Sequence, residues 1–161
     1  MVWAVHWSTG EWKEHTKYGK FQATFSSSLG NTNLSNIAGK IALTVGGQEG
    51  STLSCLQKEW DAFKLDSCYD SVTQEMVFQT TMPDNSWFSI GFGNSMTNTD
   101  MITWFASDGS GSALDYFSES HSAPELDSVQ NLALDGRPVF DQASKTMTFI
   151  TRRKLDTGDS G

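Results

Sequence analysis

The chain has 161 residues, which is long enough for one domain with a hydrophobic core and too short for two ordinary domains. Aromatic residues make up 12% and charged residues only 19%, and polar turn-forming residues are abundant, so the composition favours short strands over long helices. A net charge of −8 without a basic stripe argues against nucleic acid as a partner, and no apolar run approaches the roughly 18 to 20 residues of a membrane-spanning helix.

The first stretch, "MVWAVHWSTGEWKEHTKYGKF", holds three of the six tryptophans and two of the three histidines. It lacks the basic and apolar regions of a signal peptide, so an exported protein would have lost its signal or be an excerpt of a longer chain. "VWAVHW" and "KFQATFS" are typical of strands because apolar and polar residues alternate. The Ser-, Asn- and Gly-rich run that follows predicts a linker over residues 28–53, with a short strand "IALTV" inside it.

From Cys55 onward, strand patterns recur at regular intervals and are separated by turn sequences. The predicted strands are 75–80, 87–92, 101–105, 114–117 and 146–151. Such spacing predicts an all-β antiparallel sandwich. Helix is expected for a turn or two at most, around Lys58 to Phe63.

Two cysteines, Cys55 and Cys68, lie thirteen positions apart. An even count at this spacing suits a disulfide-closed loop, which is typical of an oxidising compartment. A pair of buried free thiols is the alternative from the sequence alone.

Catalytic motifs are missing from the sequence: it has no phosphate-binding glycine loop, no HExxH, no CxxC and no G-x-S-x-G. We therefore expect a domain without catalytic activity of its own. Met96 is unusual because it lies in a polar Asn/Ser/Thr loop, whereas methionines that fill cores lie on apolar faces. Its thioether could serve a soft metal centre, or it could be a partly buried loop residue.

Three further stretches carry a family resemblance: "WFSIGFGNSMTNTDMITW", "LDYFSESHSAPELDSVQN" and "MTFITRRKLDTGD". Together they resemble the DOMON domain, whose motifs occur in these stretches in family order over residues 55–161. The resemblance implies an immunoglobulin-like β-sandwich in an extracellular or lumenal location. The family includes haem b cytochromes, such as the one attached to cellobiose dehydrogenase and those linked to cytochrome b561 domains, and members without haem.

In the cytochrome members, a methionine after the GFG strand and a histidine near the C-terminus hold the haem iron. Met96 occupies the methionine position, and the stretch "WKEHTKYGKF" places His15 at the histidine position. The resemblance further implies that aromatic residues near these motifs wall the porphyrin: Trp12, Trp87, Phe92 and Trp104. His6 is expected to be a packed or edge residue and His121 a surface residue.

The family's closing strands therefore come first in this chain. We assign residues 1–27 to closing strands, 28–53 to a linker and 54–161 to the main body of a DOMON domain. Either the chain is an excerpt of tandem domains, or it is a circular permutant in which His15 and Met96 meet on one haem. The shortness of a connection from Gly161 to Met1 favours the tandem excerpt.

The resemblance implies a b-type electron-transfer module with His/Met ligation. Its partner would be a redox domain or a b561-type membrane protein, with neighbouring DOMON units or strand exchange as further contacts. The alternative is a haem-free extracellular sandwich that binds a sugar or another ligand or has a structural role. In haem-free members the turn aspartates could help bind calcium; here they are Asp100, Asp115, Asp127 and Asp156.

Overall fold

The structure, a computed structural model, describes residues 2–6, 17–20, 53–70 and 72–158. All regular secondary structure in these ranges is β-strand, so the predicted all-β class is confirmed. The strands in chain order are β1 (Val2–His6), β2 (Lys17–Lys20), β3 (Leu53–Trp60), β4 (Phe63–Asp70), β5 (Glu75–Pro83), β6 (Ser86–Gly91), β7 (Thr99–Ser107), β8 (Ser110–Ser118), β9 (Glu125–Leu126), β10 (Leu132–Leu134), β11 (Val139–Asp141) and β12 (Thr146–Lys154).

The strands form two antiparallel sheets that pack as a sandwich. Sheet A has the order β2-β1-β6-β7-β8-β9, and sheet B has the order β10-β12-β5-β4-β3, with β11 also paired to β12. The N-terminal strands thus extend sheet A next to β6 of the same chain, with Val2 opposite Gly91 and His6 opposite Trp87. The predicted linker 28–53 lies outside the described residues except for Leu53, which begins β3, and its "IALTV" strand and most of "KFQATFS" lie outside them as well.

Large apolar side chains from both sheets fill the space between them. Among the largest that are fully buried are Phe63, Phe78, Phe88, Trp104 and Phe149. Phe88 stacks on Trp104 with ring centroids 5.6 Å apart, and Phe78 meets the edge of Trp104 at 6.2 Å. Each such side chain contributes about 1.5 to 3 kcal/mol through burial, so this aromatic cluster is the principal link between the sheets.

Residues 58–63 contain no helix, which corrects the expectation of a helical turn there. They form the tip of the β3–β4 hairpin, where Trp60 pairs with Phe63 and Asp61 takes a left-handed φ of 51°. Aspartate tolerates this conformation better than most residues. The hairpin forms in place of a helical turn because Phe63 and Leu65, two positions apart, both point into the core, and residues two apart do not share a face of a helix.

Cys55 and Cys68 form a disulfide, as predicted. The two residues lie directly opposite each other in the hairpin, so the bond joins the edge strand β3 to β4. The thirteen-residue separation is therefore the length of a hairpin and not of an irregular loop.

Replacing both cysteines with alanine should destabilise the protein by about 3 kcal/mol, because the open chain regains the entropy of the closed loop. Urea unfolding of the wild type and the double variant measures the difference. Dithiothreitol should lower wild-type stability by a similar amount and leave the double variant unchanged; equal stability of all samples would contradict this role.

Candidate functional site

The loop that carries Met96 connects β6 to β7 and is closed by several hydrogen bonds. The Phe92 amide donates to the Asp100 carbonyl at 2.9 Å, and the Thr99 hydroxyl donates to the Ser95 carbonyl at 2.6 Å. The Met96 side chain is half-buried at the tip of this closed loop. The loop therefore presents the thioether from a fixed backbone.

Gly93 allows the tight path of this loop. A Cβ atom at position 93 would lie 2.5 Å from the Thr99 hydroxyl oxygen, and that hydroxyl is held by its bond to Ser95. Any larger residue at position 93 would have to push Thr99 away, so the "GFG" motif matches a steric need of this turn.

Arg153 lies beneath the loop and contacts the residues on both sides of it. β12 alternates buried and half-buried residues, with Met147, Phe149, Thr151 and Arg153 all facing the inside of the sandwich. The guanidinium forms a two-pronged ion pair with Asp100, in which Nη1 donates to Oδ1 at 3.1 Å and Nη2 donates to Oδ2. It also lies 4.6 Å from the centre of the Phe92 ring, within the range of a cation–π contact.

A second carboxylate, Asp115, shares this arginine. It is fully buried, and its Oδ1 lies 4.0 Å from Arg153 Nη1 without any hydrogen-bond partner. Burial raises the pKa of Asp115 to about 7; Arg153 opposes this rise, and the Asp100 carboxylate adds to it. When protonated, Asp115 can donate a hydrogen bond to Asp100, so the buried cluster holds one net carboxylate charge against one guanidinium.

The backbone of Asp115 also anchors the loop before β10. The Gln130 side chain accepts from the Asp115 amide and donates to its carbonyl, both at 2.9 Å. The Asn131 amide donates to Asp115 Oδ2 at 3.3 Å, and the Asp127 amide donates to the Asp115 carbonyl. Asp115 thus connects this loop to sheet A.

The predicted aromatic residues lie on two different faces of sheet A. Trp104 is fully buried between the sheets, and Phe92 packs at 6.0 Å from Phe78 at the same inner face, with 37% of its surface exposed. Trp87 is offset by one position from Phe88, so it lies on the outer face of sheet A. The structure brings Phe92 and Trp104 toward Phe78 and separates them from Trp87.

The outer face of sheet A is buried as well. All six residues of β6 are buried, and the Ser89 and Thr103 side chains on this face are fully buried and share a hydrogen bond of 2.9 Å. Gly91 lies opposite Met101 in the next row. On this face the small pair Ser89 and Thr103 therefore lies between Trp87 and Phe105 at one end and Met101 at the other.

His15 and Trp12 lie outside the described residues. The strands β1 and β2, which come before and after their segment, are described. His6 lies opposite Trp87, and Lys17 lies opposite Val5, so the β1–β2 connection leaves and re-enters sheet A at the Trp87 end. The Met96 loop follows Gly91, about 13 Å away along β6. His15 and Met96 thus belong to segments that start from opposite ends of this sheet.

The turn aspartates have local roles. Asp127 and Asp156 each accept from an amide two residues further on, at 3.0 and 2.9 Å, while Asp100 and Asp115 share Arg153. Within the described ranges, no group of three His, Cys, Asp or Glu side chains is placed to hold a metal ion. His121 is exposed in its loop.

The sequence did not reveal the Arg153 cluster as part of the site, although Arg153 lies in the quoted "RRKLD" motif. The alternating pattern of β12 predicts that Arg153 points inward. The sequence does not predict its partner, because Asp100 is 53 positions away and the pairing depends on how the two sheets face each other.

Taken together, the two sheets, the buried ion cluster between them and the closed methionine loop define an all-β sandwich module. The model of the DOMON domain family matches residues 61–161, and the chain belongs to this family. β1 and β2 lie outside that match but pair within sheet A. Among the described residues, no helix has the length and hydropathy of a membrane span.

A solved structure with a similar fold is the cytochrome domain of Myriococcum thermophilum cellobiose dehydrogenase. The two share 18% identity and a TM-score of 0.51, over 65% of this chain and 56% of the other. The likeness concerns the sandwich fold. Curated proteins gave no significant match.

Proposed function

We propose that this chain is a haem b electron-transfer module in which Met96 and His15 are the axial ligands of the iron. The observation that carries the proposal is the Met96 loop, whose thioether is half-buried at the end of β6 on a backbone fixed by hydrogen bonds. The fold similarity to a cytochrome domain supports it.

The kinds of donor present fit a haem. The porphyrin supplies four ligands of its own, so a haem site requires two protein donors and not a cluster of acidic or cysteine residues. Met96 and His15 would be those two donors, and the segments that carry them start from opposite ends of sheet A.

Bound haem would supply reversible one-electron transfer, and a His/Met pair would favour Fe(II) and raise the reduction potential. The chain's own residues hold the thioether in place and exclude water. Trp87 is 5% exposed on the outer face and can contribute to that exclusion of water. Trp104 is fully buried between the sheets and stabilises the core.

We further propose an extracellular or lumenal location, which the Cys55–Cys68 disulfide supports. The electron partner would be a redox domain or a b561-type membrane protein. The pairing of β1 with β6 in one chain supports the rotated order with both ligands in one domain; neighbouring DOMON units could supply the same strands by exchange.

An absorption spectrum of the protein after reconstitution with haem tests this function. We expect a Soret band that sharpens on reduction, with split α and β bands. Met96→Leu and His15→Ala should each abolish the low-spin form. Met82→Leu, a fully buried core methionine, and His121→Ala, an exposed histidine, are matched controls that should retain it.

A protein that stays colourless after reconstitution would overturn the haem proposal and favour the haem-free ligand-binding sandwich. If only one of the two ligand variants loses the low-spin form, the other ligand comes from a second chain or domain.

A further inference from the structure

We propose that Arg153 is the positioning residue of the Met96 loop: its guanidinium holds Phe92 and Asp100, the residues on either side of the loop, from beneath. That Arg153 thereby positions an iron ligand rests on the proposed function, but its positioning of the loop does not.

The contacts of Arg153 join three strands at the Met96 loop: β6, β7 and β12. Phe92 and Asp100 are already joined by a backbone hydrogen bond of 2.9 Å. Arg153 adds a two-pronged ion pair to the Asp100 carboxylate and stacks at 4.6 Å on the Phe92 ring. Because Arg153 belongs to β12 of sheet B, these contacts connect the loop of sheet A to the opposite sheet.

Burial makes these contacts stiff. Arg153 is 6% exposed, so its charge is poorly solvated and stays with its carboxylate partners. A planar guanidinium can bind a carboxylate through two parallel bonds and stack on a ring, whereas a lysine ammonium cannot do both. The arrangement therefore depends on arginine and not on positive charge alone.

Oxidation of Met96 by hydrogen peroxide, followed by mass spectrometry of the haem-free protein, measures how much more accessible the half-buried Met96 side chain becomes when the loop loosens. In Arg153→Lys we expect Met96 to oxidise about tenfold faster, the effect of losing one charge-assisted hydrogen bond on an opening equilibrium. Phe92→Leu, which leaves the ion pair intact, should also accelerate it. Met82 and Met147 are fully buried and report global unfolding in the same samples.

Arg152→Lys is the matched control. Arg152 lies on the same strand, β12, and its guanidinium pairs with the Asp135 carboxylate at 2.9 Å near the surface, away from the loop. Its substitution should leave the Met96 rate within about twofold of wild type. Unchanged Met96 rates in Arg153→Lys and Phe92→Leu would overturn the proposal; if Arg153→Lys does not fold, the Phe92→Leu rate alone decides.

A second readout separates this inference from the proposed function. If haem binds and Arg153→Lys leaves the reduction potential and the low-spin fraction unchanged, Arg153 does not position the ligand, although the haem function stands. If haem never binds, the haem function fails, and the peroxide rates still decide whether Arg153 holds the loop.

Discussion

Replacing Trp104 with alanine is expected to destabilise the protein by about 3 to 5 kcal/mol, the cost of removing a large buried aromatic and leaving a cavity. Trp104 is fully buried and contacts Phe88 and Phe78 from the two sheets, so its loss removes the centre of the aromatic cluster. Urea unfolding followed by circular dichroism measures the change.

Val139→Ala is the control, since Val139 is 59% exposed on β11 and its truncation should change stability by less than about 0.5 kcal/mol. A similar, small effect of both substitutions would contradict the core position of Trp104.

Asp115 should make the protein less stable as pH rises from about 4 to about 7. Its pKa is raised from 3.8 to about 7 in the folded state, mainly by burial. Between these values the folded chain binds a proton that the unfolded chain has released, so stability falls with increasing pH and levels off above the folded pKa. The total effect is up to roughly 4 kcal/mol, at 1.36 kcal/mol per pKa unit.

Asp115→Asn removes this proton, so the stability of the variant relative to wild type should increase from about pH 4 to about pH 7 and then level off. Asp141→Asn is the control. Hydrogen bonds from Ser144 and Ala143 lower the pKa of the Asp141 carboxyl, so its contribution is lost only at acidic pH. Parallel stability profiles for Asp115→Asn and wild type would show that Asp115 stays ionised.

Most of the strand pattern was predictable because it is local. Strands β5, β6, β7, β8 and β12 all overlap predicted strands, since alternating apolar residues and flanking turn residues mark a strand wherever it pairs. The β3–β4 hairpin was missed because its tip, "WDAF", has no glycine and its aromatic residues suit either a helix or a strand. Packing of Phe63 and Leu65 decides for the strand.

The candidate site was partly predictable. Met96 was predicted as a ligand from its polar loop and from the family motif, a role that stays a prediction, and the structure adds that this loop is closed by hydrogen bonds and flanked by residues that contact Arg153. His15 and Trp12 remain predictions. The aromatic set illustrates what residue type alone leaves open, since Trp87 and Trp104 look alike in sequence and face opposite ways.

The sequence by itself determined the all-β class and the place of the methionine loop, because alternation and turn residues act over short stretches of chain. Cysteine spacing favoured the disulfide, and the pairing of Cys55 with Cys68 across the hairpin decided it. Only the tertiary structure decided which face each aromatic occupies and which acids share Arg153. A shift of one residue in strand register would exchange Trp104 with Phe105. The Arg153–Asp100 pair, 53 positions apart, exists because the packing of the two sheets buries Arg153 beside the carboxylates of Asp100 and Asp115.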